Sequence, residues 1–250
     1  MENLYKSDEY IRKNPTLHAE ASAWKVSKIL PFIDFLVDKE LRKNKLKLLD
    51  VGGGAGLILR GVAGHIEDRG IDVKKYALDL SPRMLEVQRR NNPDLLKVLN
   101  EDIRHTSLAD KEVDIALLID VLEHVPEPQI ALRELRRISK YAIFKIPLES
   151  NLASKISNFL DRGKLRRHFI QDCGHINVYG LSAVLKQIET YLGHIFMVNF
   201  TNVFDYSLGQ NKLNWIGRIE AILGLAMSKV YPKLASLVFG DFIVLLVKCY

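Results

Sequence analysis

Cysteine is scarce in this chain of 250 residues: only Cys173 and Cys249 occur, far apart and without a Cys-x-x-Cys pair. That argues against a disulfide framework and a zinc–thiolate cluster. With no secretory leader pattern, it points to a reducing compartment, the cytoplasm. Long apolar runs are missing as well. The longest, FIVLLV at 242–247, lies between Asp241 and Lys248 and is far short of the ~20 residues that cross a bilayer; it reads as a buried strand. No internal repeat and no low-complexity tract is present. The formal net charge of +6, from 36 Lys and Arg against 30 Asp and Glu, suits an anionic partner but falls well short of a polybasic arm. What remains is ordinary globular composition, 48% hydrophobic and 26% charged, enough for one domain over 1–250 with one sizeable core.

Short apolar runs alternate with helical patterns. Strands are predicted near 47–51, 74–79, 96–99, 113–120 and 141–146, with helices near 56–68, 82–91 and 128–139 between most of them. Such alternation implies an α/β fold with a parallel sheet covered on both faces. Ser81 before Pro82 has the chemistry of a helix start, a capping hydroxyl followed by a residue with no amide to satisfy. Three stretches stand outside the alternation: a helical leader at 1–40, a basic connection at 150–180, and an amphipathic region at 211–239 before a last strand at 241–249, which is expected to join IFMVNF at one sheet edge. Connections this long read as functional covers.

The first strand runs into LLDVGGGAGLILRG at 48–61. The dinucleotide fingerprint G-x-G-x-x-G fails in both registers, ending on Leu57 or Leu59, and the phosphate loop fails because Gly61 is followed by Val62 and Ala63. What fits is D-x-G-x-G-x-G, with Asp50, Gly52, Gly54 and Gly56. A tight strand-to-helix turn without any ligand is the alternative.

With that turn, YALDLSPRML, LNEDIRH and DIALLIDVLEHVPEPQIALREL in order, the stretch 45–201 resembles the class I S-adenosylmethionine (SAM) dependent methyltransferases of the small-molecule branch. The resemblance implies a Rossmann-like, doubly wound, mostly parallel seven-stranded sheet with an antiparallel edge strand and helical caps. It implies SAM as cofactor, released as S-adenosylhomocysteine. It places Asp50, Gly52, Gly53, Gly54 and Gly56 around the amino-acid part of SAM, Asp79 and Leu80 at the ribose, Asp102 and Ile103 at the adenine, and Asp120 beside the bound cofactor. Glu101 is one slip from Asp102, and each acid could equally be a capping or solvated loop charge.

Methyl transfer needs positioning first, and a base where the acceptor is a weakly acidic oxygen or nitrogen. Asp120, His124 and His175 are the catalytic candidates. No metal is expected, but some relatives of this kind hold a divalent ion on E-x-x-E-H plus a later histidine, and Asp120, Glu123, His124 and His175 would be the matching set; structural hydrogen bonding by Glu123 and His124 is the rival reading. Arg162, Lys164, Arg166, Arg167 and His168 form a basic run that either meets an anionic acceptor or is a solvated face. His175, Asn177 and Tyr179 either line the acceptor pocket or anchor the cover. Tyr10, His18 and Trp24 belong to a leader expected to act as a lid, with core packing the alternative for Trp24. Trp215, Ile216, Ile219, Ile222 and Leu223 fall on helical spacing and are expected to pack on the sheet, with contact to a membrane surface or a partner chain as the weaker reading.

The expected partner is a small-molecule acceptor, a sugar, a quinone-like ring or a lipid-linked precursor. Nucleic acid is disfavoured, because the Pro-Pro-aromatic and Pro-Cys signatures of base methyltransferases are missing after strand four. An RNA methyltransferase and a non-catalytic SAM-binding module are the alternatives, and the oligomeric state is open.

Overall fold

The structure is a computed structural model that describes residues 19–160, 162–171, 174–201, 208, 215–239 and 242–250. Tyr10, His18, Cys173, Asp241 and the side chains of His168 and Ile216 lie outside the described residues. Seven strands form one sheet: β1 (Lys45–Val51), β2 (Asp72–Leu78), β3 (Lys97–Leu99), β4 (Val113–Ile119), β5 (Ser139–Pro147), β6 (Gly193–Thr201) and β7 (Phe242–Cys249). Their order is β3-β2-β1-β4-β5-β7-β6. The first five are parallel, and β7 runs antiparallel between β5 and β6. The predicted strands agree with those observed to within two residues, and β7 does pair with the predicted IFMVNF strand. The doubly wound fold and its antiparallel edge are as expected.

Strand residues alternate between two apolar layers because successive side chains leave a strand on opposite faces. One face carries Leu49, Ala116, Leu118 and Phe144 against α4 (Pro128–Ile138) and α7 (Leu181–Tyr191). The other carries Leu48, Ile115, Leu117 and Ile143 against α1 (Ser22–Phe35) and α2 (Leu57–Glu67). β4 is buried along its whole length, as its unbroken apolar sequence requires. After β2, α3 (Pro82–Asn91) starts as predicted: the Ser81 hydroxyl accepts from the Met84 amide at 3.3 Å, and Pro82 follows the cap.

The leader departs from expectation over its described part. α1 is a core helix rather than a lid: Ile29, Phe32 and Ile33, one turn apart on one face, are buried with α2 against the sheet. Only its first turn, with Trp24 and Lys25, reaches toward the carboxyl edge of the strands. The remaining helices sit outside the two layers: α5 (Leu152–Leu160) and α6 (Lys164–Gln171) in the basic connection, and α8 (Trp215–Val230) and α9 (Pro232–Phe239) before β7. Cys249 is buried and free, 3.4 Å from the Ser139 hydroxyl.

Candidate active site

The carboxyl ends of the parallel strands, where open α/β sheets bind ligands, converge on one cleft of about 880 Å³ counted out to its mouth. Gly52 and Gly54 from the first turn, Asp79 and Leu80 after β2, Asp102 and Ile103 after β3, and Asp120 and His124 after β4 all border it. The three other residues assigned to cofactor contact, Asp50, Gly53 and Gly56, do not. They build the turn from behind. A β-carbon on Gly53 would lie 1.9 Å from the Asp50 carboxylate, and one on Gly56, whose φ is +71°, would lie 2.7 Å from the Asn92 amide nitrogen. These two glycines are thus required by the protein's own packing as much as by any ligand. Asp50 is buried, and one of its oxygens has no hydrogen-bond partner among the described residues. Burial first, then the nearby charge of Asp79, push its carboxyl up to about 7.

Asp79 sits at the lip of this first turn. Burial raises its carboxyl to about 6, against the amides of Ser81 and Leu80 that favour the ionised form; the Ser81 amide donates to it at 2.9 Å. Asn100 clamps the same loop, donating from its side-chain amide to the carbonyls of Asp79 and Leu80, 3.0 Å each. Asp102 takes a fork of bonds from Arg104, including 2.7 Å from Nη2. Burial opposes ionisation of Asp102, but the Arg104 bonds outweigh it and lower its carboxyl. Ile103 is buried beside it and offers the cleft an apolar wall. The slip candidate Glu101 borders the cleft too, and its carboxylate accepts from the Ser107 amide and hydroxyl.

Asp120 adopts a left-handed backbone, φ +58°, and its two oxygens are held by two ammonium groups: Lys145 Nζ donates to Oδ1 at 2.6 Å, and Lys25 Nζ lies 2.9 Å from Oδ2. Burial raises its carboxyl, yet the charges of Lys145 and then Lys25 outweigh that and hold it down at about 2. A carboxylate so paired is a poor proton acceptor, so its reading as a catalytic base gives way to a positioning role. Lys145 itself is 1% exposed, with its ammonium 5.8 Å from the Trp24 ring centroid. Burial pulls its pKa below the usual lysine range, while Asp120 pulls the other way. The sequence carried one sign of this arrangement, a lysine interrupting an apolar strand, which demands a buried partner. Lys25, Glu149 and Asn100 gave no comparable sign.

The loop after β4 is stapled to the stretch that precedes α7. The amides of Ile176 and Asn177 both donate to the Glu123 carbonyl at 3.0 Å, and the Asn177 side chain donates to the carbonyls of Leu122 and Val125 at 3.0 and 2.8 Å. This brings together His124 and His175, fifty-one positions apart, with ring centroids 4.8 Å from each other. Asn177 is therefore an anchor of the cover. His124 Nδ1 faces the Gly174 carbonyl at 3.0 Å, and His175 Nδ1 meets the Glu149 carboxylate. The Gly174 carbonyl and the Glu149 carboxylate accept, so each Nδ1 carries a proton.

Glu123 is buried beneath them. Burial first, then the charge of Asp120, push its carboxyl well above the usual range. One oxygen each of Glu123 and Glu149, and the Tyr179 hydroxyl, lack hydrogen-bond partners among the described residues. Burial, then Glu123, also push the Tyr179 phenol up. Of the four residues considered for a divalent ion, Glu123, His124 and His175 place ligand atoms within 4.8 Å of one another. Asp120 is not among them, because the two lysines hold it. The remaining trio could receive a cation on one carboxylate and two imidazoles, a donor set that suits manganese or zinc better than magnesium.

Residues 49–141 match a family model described as a methyltransferase domain. Over 112 residues, 43% of this chain and 32% of that protein, the chain is 31% identical to the chloroplastic 2-methyl-6-phytyl-1,4-hydroquinone methyltransferase 1 of Oryza sativa subsp. japonica. Over 99 residues, 38% of this chain and 37% of that protein, it is 33% identical to a ubiquinone biosynthesis O-methyltransferase of Alkalilimnicola ehrlichii. The matches thus span about a third of these curated relatives. Among solved structures, it resembles the geranyl diphosphate C-methyltransferase of Streptomyces coelicolor A3(2), crystallised with Mg2+, geranyl diphosphate and S-adenosyl-L-homocysteine. That likeness has a TM-score of 0.60 at 10% identity, covers 98% of this chain and 85% of that one, and concerns the fold.

Proposed function

We propose that this chain, whose residues 49–141 match a methyltransferase domain, is a class I SAM-dependent methyltransferase that transfers a methyl group from SAM to an oxygen of a small quinol-like ring. The observation that supports this most is the cleft itself, in which residues from four successive strand ends, Gly52, Asp79, Asp102 and Asp120, face one space. The names of the curated relatives, a hydroquinone methyltransferase and a ubiquinone O-methyltransferase, favour the quinol over a sugar as acceptor.

When bound, SAM supplies an electrophilic methyl carbon on a sulfonium. The chain's residues hold it and prepare the acceptor. Gly52 and Gly54 give its amino-acid end close access to backbone, Asp79 accepts from the ribose hydroxyls, and Asp102 with Ile103 receives the adenine by one hydrogen-bond acceptor and one apolar face. His124 borders the cleft and is the first candidate for proton acceptor, and His175 against its ring, held by Glu149, is the second. The base would take the acceptor's O–H proton and leave that oxygen as the nucleophile for the methyl group SAM would supply. The Lys25–Asp120–Lys145 arrangement positions the loop that presents His124 and fixes charge at the cleft floor.

The test is calorimetric titration with SAM, followed by mass-spectrometric screening of catechols, hydroquinones, sugars and RNA as acceptors. The reading expects SAM binding and a mass gain of one methyl on a quinol oxygen. Binding with methylation confined to another class overturns the acceptor, and folded protein that binds no SAM overturns the whole reading.

A further inference from the structure

The helices outside the core are built the wrong way round for burial. In α5, Leu152, Ile156, Phe159 and Leu160 repeat at i, i+4, i+7 and i+8, which on a helix is one stripe. That stripe is exposed, with Phe159 at 84%. In α8 the same spacing recurs as Trp215, Ile219, Ile222 and Leu223, again exposed, with Trp215 at 72%. The inward side of α8 carries instead the small residues Ala221 and Gly224. α9 packs against both helices and continues the surface with Tyr231, Leu234 and Leu237. Of fifteen large hydrophobic residues exposed among those described, twelve lie on α5, α8, α9 and the residue that joins the last two. Isolated apolar residues on a surface need no explanation, but two matching stripes on helices that both pack against α9 do.

The charge of the chain is distributed to match. The segments 152–171 and 215–239 hold eight Lys and Arg against two acids, a formal +6, which is the entire net charge of the protein. The remaining sequence is therefore neutral overall. Arg162, Lys164, Arg166 and Arg167 are exposed on and before α6, next to the α5 stripe, while Arg218, Lys229 and Lys233 are exposed along α8 and α9. Yet no helix is long and apolar enough to cross a membrane among the described residues. An apolar stripe flanked by cations on a short helix is the pattern of a helix that lies in the headgroup layer. Cations placed there each add attraction to anionic lipid.

We propose that the face formed by α5, α6, α8 and α9 docks the protein on an anionic lipid bilayer surface, with the apolar stripes entering the headgroup boundary and the basic residues meeting lipid phosphates. The inference is independent of the acceptor's identity, since it rests on the outer face of these helices and not on the cleft.

The full chain is to be sedimented with vesicles of phosphatidylcholine alone and of phosphatidylcholine containing phosphatidylglycerol, while tryptophan emission is followed. Expected are binding to the anionic vesicles only, weakened by high salt, and a blue shift that Trp215→Phe removes. Phe159→Ser and the pair Arg166→Glu with Arg167→Glu should each reduce partitioning about tenfold or more. SAM titration shows that these variants remain folded. Absence of binding to anionic vesicles would overturn the proposal. So would equal binding to neutral ones, or a concentration-dependent dimer in solution that Phe159→Ser dissolves. The last outcome would assign the face to a second copy of the chain.

Discussion

At Asp79 the local electrostatics set a measurable dependence on pH. Burial holds its carboxyl at about 6, whereas ribose hydroxyls donate best to the ionised form. SAM binding therefore favours loss of the proton, and affinity should fall as pH drops through 6, by up to about tenfold per unit. Asp79→Asn should flatten that profile, and Asp79→Ala should weaken SAM binding by about 1 to 3 kcal/mol at neutral pH, both read by calorimetry. A steep profile persisting in the asparagine variant would move the titration to another group. The buried charges behind the cleft make a different prediction. Asp120→Asn leaves the Lys145 ammonium, 1% exposed, without its anion, and should cost about 3 kcal/mol in urea unfolding. Lys145→Met should cost less, since Lys25 still faces Asp120 at 2.9 Å. Equal losses would mean that the lysine pair does not share the carboxylate in the way the distances indicate.

The turn between β1 and α2 is an element whose glycines answer to protein packing. Gly56→Ala would force a side chain into a left-handed residue, φ +71°, against Asn92 and Gln88, and should destabilise by about 1 to 3 kcal/mol. An Ala at Gly53 displaces the Asp50 carboxylate itself. Thermal melts of the two variants would separate such losses from loss of SAM affinity. A Gly56→Ala protein of unchanged stability would show that the turn relaxes freely. The pattern D-x-G-x-G-x-G announced this element, yet it could not say which glycines face the cleft, because that depends on where β4 and α3 pack. The same limit held elsewhere. Parallel strands buried on both faces are legible because their apolar runs are unbroken, as in DIALLID, and α3 is legible from Ser81 and Pro82. Asp120's pairing with Lys25 was not, since α1 and β5 meet it across ninety-five and twenty-five positions. Nor does periodicity tell which side of an amphipathic helix faces inward. In α8 the spacing was read correctly and its direction was not, because Ala221 and Gly224 make the contact face.

On the scale of the whole molecule, the core and the cap differ in how they are held. β1, β4, β5 and β7 are buried on both faces and joined in one hydrogen-bonded sheet, whereas α8 leaves its large side chains outside. Hydrogen exchange should therefore find core amides opening only with global unfolding and α8 amides opening locally at much lower free energy. The cleft is lined only by the core, from four strand ends and the loops that follow them. A ligand there is coupled to global unfolding and not to opening of the cap. At a hundredfold excess over its dissociation constant, SAM should stabilise the native state by about 2.7 kcal/mol, which for a domain of this size raises the melting temperature by about 5 to 11 °C. Protection in the core strands should deepen by the same free energy, with α8 exchange unchanged. A melting temperature indifferent to SAM in correctly folded protein would remove the donor from this cleft, and with it the assignment of Asp79 and Asp102. Slowed exchange confined to α8 would instead place the ligand on the cap.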